Sequence, residues 1–260
     1  MSKEKSENAI SEKENTSVAV PSAFIEDANS GLETLTAEDI TIPRLKVLQA
    51  RSPEVTKSDG KDVEGASAGD IINTVTGKLY TNDNPLVALP VAYKRLFLEW
   101  GPRESGGGLV AQHEDASILS KTTKDNMGRD MLENGNYIQT SATHFVLSLN
   151  EDGSYDSAMI AMAGTQLKKS RTWNSVMASI KMRSGDKVFT PASFSHKYVM
   201  KTKAESNDRG TWFGWNITLD GPLGEDEMFF YQAAKDFAST VGEVNLSQSN
   251  DNESTSEAPF

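Results

Sequence analysis

Leu86–Trp100 reads LVALPVAYKRLFLEW, and no other stretch of the 260-residue chain says as much about its fold. As far as Val91 both alternating sets are apolar, the pattern of a strand covered on its two faces. Beyond that point Tyr93, Arg95, Phe97 and Glu99 fall on one side. Lys94, Leu96, Leu98 and Trp100 fall on the other, so an aromatic and charged face opposes a mainly aliphatic one. Pro90 has no N–H to give to a ladder, which predicts a bulge or an edge at that point.

Other strands follow on either side. Asp70–Val75 and Lys78–Tyr80 flank Thr76-Gly77, where glycine allows the positive φ of a hairpin turn. Asn136–Asn150 and Ser157–Ala163 flank EDGSYD and read as a second hairpin. Phe189–Lys203 alternates, with His196, Tyr198, Met200 and Thr202 opposite Lys197, Val199, Lys201 and Lys203. Trp212–Leu219 alternates as well. Two segments have helical spacing instead. Thr165–Arg183 carries Leu167, Trp173, Val176, Met177 and Ile180 near one stripe, and Glu225–Val241 carries Phe230, Ala234, Phe237 and Val241. Between these elements, Gly101–Gly135 reads as a long loop with a short helix within Ile118–Met131.

The expected fold is mainly β with helices (α+β): an OB-like antiparallel β-barrel with inserted loops and a C-terminal helix. Residues 39–241 form the domain. Residues 1–38 are polar and acidic, too poor in apolar surface to fold, and read as a disordered arm. Residues 242–260 read as a disordered acidic tail.

Charge is unevenly distributed. The chain is −11 overall, but residues 1–40 hold three lysines against nine acids and residues 242–260 hold four acids and no base. The middle is therefore close to −1, and within it Gly164–Lys203 carries nine cations against Asp186 alone. Those cations are Lys168, Lys169, Arg171, Lys181, Arg183, Lys187, Lys197, Lys201 and Lys203. Aromatic residues lie among and just after them, including Trp173, Tyr198, Trp212 and Trp215. Cations that meet phosphates beside flat rings that meet unpaired bases are the ingredients of a single-strand site. Lys168, Lys169 and Arg171 also begin a predicted helix, where the dipole disfavours positive charge. That cost points to a role other than stability.

A second candidate surface is Tyr93, Lys94, Arg95 and Phe97, with Trp100 and Arg103 beyond. On a strand Tyr93, Arg95 and Phe97 project from one face at intervals of about 7 Å, a plausible stacking platform. Packing of the same rings into a core is the competing reading.

The chain closes on Ser249–Phe260, SNDNESTSEAPF, with Asp251, Glu253 and Glu257 ahead of Pro259 and Phe260. This ending resembles the acidic tails of phage and bacterial single-stranded DNA-binding proteins. The segments IPRLKVLQ, GDIINTVTGKLY and EWGPR…GGG are similar to tailed-phage proteins assigned to DNA replication. The resemblance implies a protein that coats single-stranded DNA without strong sequence preference during phage replication or recombination. It also implies that the tail residues recruit a polymerase, helicase or nuclease. Self-association is left open.

Several chemistries lose support. There is no cysteine, hence no disulfide, thiolate metal site or cysteine nucleophile, in keeping with a host cytoplasm. No apolar run approaches the roughly 18 residues of a membrane span. His113, His144 and His196 are scattered, and neither a GxSxG elbow nor a Walker loop occurs. The expectation is a protein that is not an enzyme and needs no cofactor or metal. Two alternatives stand beside it: a virion-associated β protein whose aromatics are core, and a nucleic-acid enzyme or annealing protein.

Overall fold

A computed structural model describes residues 21–28, 30–34, 41–56, 60–102, 106–208 and 210–241. The predicted C-terminal tail and Arg103 lie outside the described residues, as does most of the predicted N-terminal arm. Chain contacts divide the protein into Met1–Ile40 and Thr41–Phe260. Within the first unit Ser22–Glu26 forms a five-residue helix, α1, with Phe24 and Ile25 exposed.

The second unit is mainly β, a curled antiparallel half-barrel with few helices. A three-stranded sheet comes first: β1 (Leu45–Val47), β2 (Ile71–Asn73) and β3 (Leu79–Tyr80). Its β2–β3 turn has Gly77 at φ +71°, as its sequence suggests. Next come β4 (Leu86–Trp100), β5 (Leu109–His113), and a 3-10 turn at Ala116–Lys121. β6 (Thr123–Lys124), β7 (Asp130–Met131), β8 (Tyr137–Leu149) and β9 (Tyr155–Ala163) follow. Gly101–Gly135 is therefore not one long loop, because three short strands lie within it. Helix α2 (Leu167–Ser179) leads to a two-stranded ribbon, β10 (Met182–Ser184) and β11 (Lys187–Phe189). β12 (His196–Asn207), β13 (Gly210–Pro222) and α3 (Met228–Thr240) complete the fold.

The strand order β13-β12-β4-β8-β7-β6 places β4 and β8 at the centre, with β5 added to β4 and β9 to β8. Pro90 pairs with Val146 while Ala92 pairs with Phe145, so Val91 is an extra residue in β4. This is the bulge that Pro90 predicts. It exchanges the two faces of the strand, because side-chain direction has a period of two. Before it, the even residues Leu86 and Ala88 enter a core with Val146, Ile160, Trp173, Tyr198 and Trp215. After it, the even residues Leu96, Leu98 and Trp100 enter a different core with Phe145, Leu147, Phe230 and Ala234. One sheet therefore carries two cores, the first under α2 and the second under α3.

Helix α2 is fixed by its inner stripe. Trp173 is 2 % exposed, stacks on His144 at 4.4 Å between ring centroids, and meets Tyr198 edge-on at 5.7 Å. Ser170 shares a hydrogen bond of 2.7 Å with His144 Nε2. The helix stops at Ser179, not at Arg183, and Ile180 is already extended. At its start no side chain caps it, so Thr165 is not the N-cap that the sequence suggests.

Edge strand β13 is partly shielded. Gln49 Oε1 accepts from the Phe213 N–H at 2.8 Å, and Gln49 Nε2 donates to the Phe213 carbonyl at 2.9 Å. Gln166 Oε1 accepts from the Trp215 N–H at 3.0 Å. Two side-chain amides thus occupy backbone positions that another strand would fill.

Candidate nucleic-acid interface

The aromatic candidates are mostly interior. Trp215 and Tyr198 are 4 % and 1 % exposed and belong to the core under α2. Trp212 is buried and donates to Glu205 Oε2 at 3.1 Å. Trp100 is buried and donates to Gln139 Oε1 at 3.1 Å, and Phe97 is buried too. Burial pushes the Tyr198 phenol up to about 12. None of these rings presents a face to a base. The predicted platform on β4 is reduced to Tyr93, 38 % exposed beside His144, and the exposed Arg95.

The cations divide by position and by partner. Lys197 lies 2.6 Å from Glu227, Lys169 lies 2.5 Å from Glu205, and Lys94 lies 3.4 Å from Glu114. Glu227 is held below the usual carboxylate range first by the Gly224 N–H and then by Lys197. Burial works against the Glu205 carboxylate, but Lys169, Trp212 and Gln166 outweigh it, and the net shift is downward. Lys201 and Lys203 share the β12 face of Lys197, opposite Tyr198 and Met200.

A different group remains together. Lys168, Arg171, Ser175 and Ala178 recur at helical spacing along the exposed side of α2. At its end Lys181 Nζ donates to Thr190 Oγ1 at 2.5 Å and to the Ala178 carbonyl at 3.4 Å. That cation joins the helix C-terminus, where its charge suits the dipole, to the base of the ribbon. Lys168, Arg171, Arg183 and Lys187 make no ion pair among the described residues.

The ribbon is the feature that helical periodicity conceals. Met182 pairs with Phe189, Arg183 with Val188, and Ser184 with Lys187, all six exposed. Gly185 turns the chain at φ +58°. Alternation puts Met182, Phe189 and Lys187 on one face and Arg183 with Val188 on the other. Val188 is 53 % exposed, Met182 39 % and Phe189 38 %. A two-stranded ribbon is marginal alone, and water contact at three apolar side chains adds nothing to its stability. The usable sequence signal was Gly185-Asp186 between two alternating triplets.

A family model described as Pam3 phage gp34-like protein matches residues 12–246. The chain belongs to that family. The match spans both α2 and the ribbon, so the exposed cationic surface is part of the Pam3 phage gp34-like region. No curated protein and no solved structure matches the chain.

Other clusters in this Pam3 phage gp34-like protein have structural explanations. His144 and Ser170 form a hydrogen-bonded pair, but both are about 1 % exposed, and burial lowers the imidazole to about 3. A base and nucleophile sealed under α2 cannot meet a substrate. Glu99 accepts from Asn136 at 2.6 Å and lies 2.9 Å from His113 Nε2, which ties β4 to β5 and to the turn before β8. Among the described residues no group of three or more acidic, histidine or cysteine side chains is arranged to hold a metal. No helix among them is long and apolar enough to cross a membrane.

Proposed function

We propose that this phage-family protein binds single-stranded DNA during replication or recombination, and that the β10–β11 ribbon with the exposed side of α2 is the binding surface. The observation that carries the reading is the exposed ribbon, on which Arg183 and Lys187 stand beside Met182, Val188 and Phe189. Exposed apolar groups beside unpaired cations gain from a ligand that is both anionic and flat. Phosphates would follow Lys168, Arg171, Arg183 and Lys187, with the salt dependence of counterion release. Phe189, and at a second position Tyr93, are the rings left for stacking, each contributing about 1–3 kcal/mol per base. Buried tryptophans take no part, which implies a modest, electrostatic and sequence-tolerant affinity. The acidic tail with Asp251, Glu253, Glu257, Pro259 and Phe260 is assigned the recruitment of replication or repair proteins. The role is non-catalytic and belongs in the host cytoplasm. A virion-associated β protein accounts equally for the buried tryptophans and would use the apolar side chains of the ribbon as a protein contact, but it leaves the unpaired Arg183 and Lys187 without an anionic ligand.

Fluorescence anisotropy of a labelled oligo-dT over a salt series tests this reading. Saturable binding that weakens steeply with salt is expected. The combined change Arg183→Glu, Lys187→Glu and Phe189→Ala should reduce it at least tenfold and leave thermal unfolding unchanged. No binding at low salt, or equal binding by the variant, would sink the assignment. Preference for duplex would move it to a double-strand reader.

A further inference from the structure

The edge strand β13 carries a second feature, which shares only Lys168 with the proposed DNA surface. Beyond the positions occupied by Gln49 and Gln166, alternation turns the N–H and C=O groups of Ile217 and Leu219 outward, away from β12. Among the described residues neither makes a hydrogen bond on that side. Both line a groove of about 480 Å³ between α2 and β13, whose helix wall includes Lys168 and Val176. Trp173 and Tyr198 line it as well. Their Nε1 and phenolic oxygen are buried with no hydrogen-bond partner, which is costly for polar atoms inside a protein.

We propose that this groove receives an extended acidic peptide of a partner protein, which adds to β13 as a further strand. Strand addition needs an open edge, a channel beside it and side-chain selectivity. Ile217 and Leu219 supply the edge, and their side chains with Val176 supply an apolar wall. Lys168 supplies the charge preference, since Lys169 is already neutralised by Glu205. A nucleobase fits the groove less well. One face of Trp173 is stacked on His144 and Tyr198 meets the ring edge-on, so the groove offers hydrogen bonds and apolar contact but no stacking surface. The ends of the site are defined too: Gln166 blocks the edge at Trp215, and an irregularity in the ladder follows Leu219.

The test uses the full chain with a fluorescein-labelled eight-residue peptide of alternating Glu and Val, and its Lys-Val counterpart. The acidic peptide should bind and the basic one should not. Hydrogen exchange should show new protection at the Ile217 and Leu219 amides. Lys168→Glu should weaken binding at least tenfold. Leu219→Pro removes one outward donor, which an edge position tolerates, and should abolish binding with the circular dichroism spectrum unchanged. No binding at millimolar peptide, or binding without protection at Ile217 and Leu219, would overturn the proposal. Protection of those amides by oligo-dT in place of peptide would also overturn it. Because Leu219 lies off the ribbon, loss of DNA binding in the ribbon variant and loss of peptide binding in Leu219→Pro are separable results.

Discussion

Gln49 makes to Phe213 both hydrogen bonds that a neighbouring strand would make, one accepted and one donated. An amide side chain of one loop thereby stands in for a peptide unit, 164 residues away in sequence. Gln49→Ala should leave two backbone groups of β13 without partners and cost about 1–3 kcal/mol. It should also expose an edge suited to pairing between chains. Urea unfolding and sedimentation velocity measure the two effects; an unchanged midpoint with no added association would contradict the shielding role.

Gly69 lies beneath the same phenylalanine. A Cβ there would come within 2.8 Å of the Phe213 ring, and the backbone sits at φ +99°, which side chains rarely adopt. Gly69→Ala should therefore destabilise by about 1–3 kcal/mol through strain and overpacking together. Gly77→Ala is the control, since φ is +71° but nothing lies within 4 Å. The difference between the two variants in thermal unfolding isolates the contact with Phe213.

Acid should unfold the protein earlier than its carboxylates alone would predict. His144 is buried, and its folded pKa is lowered to about 3 from 6.5. Between those values the unfolded chain binds the proton that the folded chain refuses, so stability rises with pH across that window and falls on acidification. The folding equilibrium should change by roughly tenfold per pH unit there. Glu99, lowered first by Asn136 and also by His113, loses its contribution only at lower pH, as its own folded value is passed. His144→Gln should flatten the dependence between pH 4 and 6; an unchanged slope would exclude His144 as its source.

Tryptophan fluorescence should be a poor reporter of DNA binding here. Trp100, Trp173, Trp212 and Trp215 are all at most 8 % exposed. Emission should be blue-shifted and resist iodide, and saturating oligo-dT should change it little while anisotropy of the oligonucleotide rises. Strong quenching would mean that a strand reaches rings now covered, and would require the elements that cover them, α2 over Trp173 and Trp215 or α3 over Trp100, to move.

Much of this architecture is legible in the sequence, and the parts that are not share a cause. Pro90 announces the bulge, EDGSYD announces the β8–β9 hairpin, and the apolar stripe of Phe230, Ala234 and Phe237 announces α3. Strands β5, β6 and β7 run two to five residues, too short for a period to show. Lys181, Met182 and Arg183 are all good helix formers, so composition extends the helix into a ribbon that only the turn at Gly185 betrays. At the candidate surface every cation was visible. The burial of Trp212 and Trp215 was not, because alternation assigns side chains to faces without saying what covers a face.

The bulge at Val91 makes β4 a strand with two reading frames. Deleting Val91 would remove the bulge but leave Ala92 on Phe145 and every later residue of β4 on its present partner in β8, so Leu96 and Leu98 would stay in the core under α3. The spare residue thus lets β4 lose one position without exchanging its cores. Relatives that lack the bulge should therefore run one residue shorter between Leu86 and Trp100 and keep both cores.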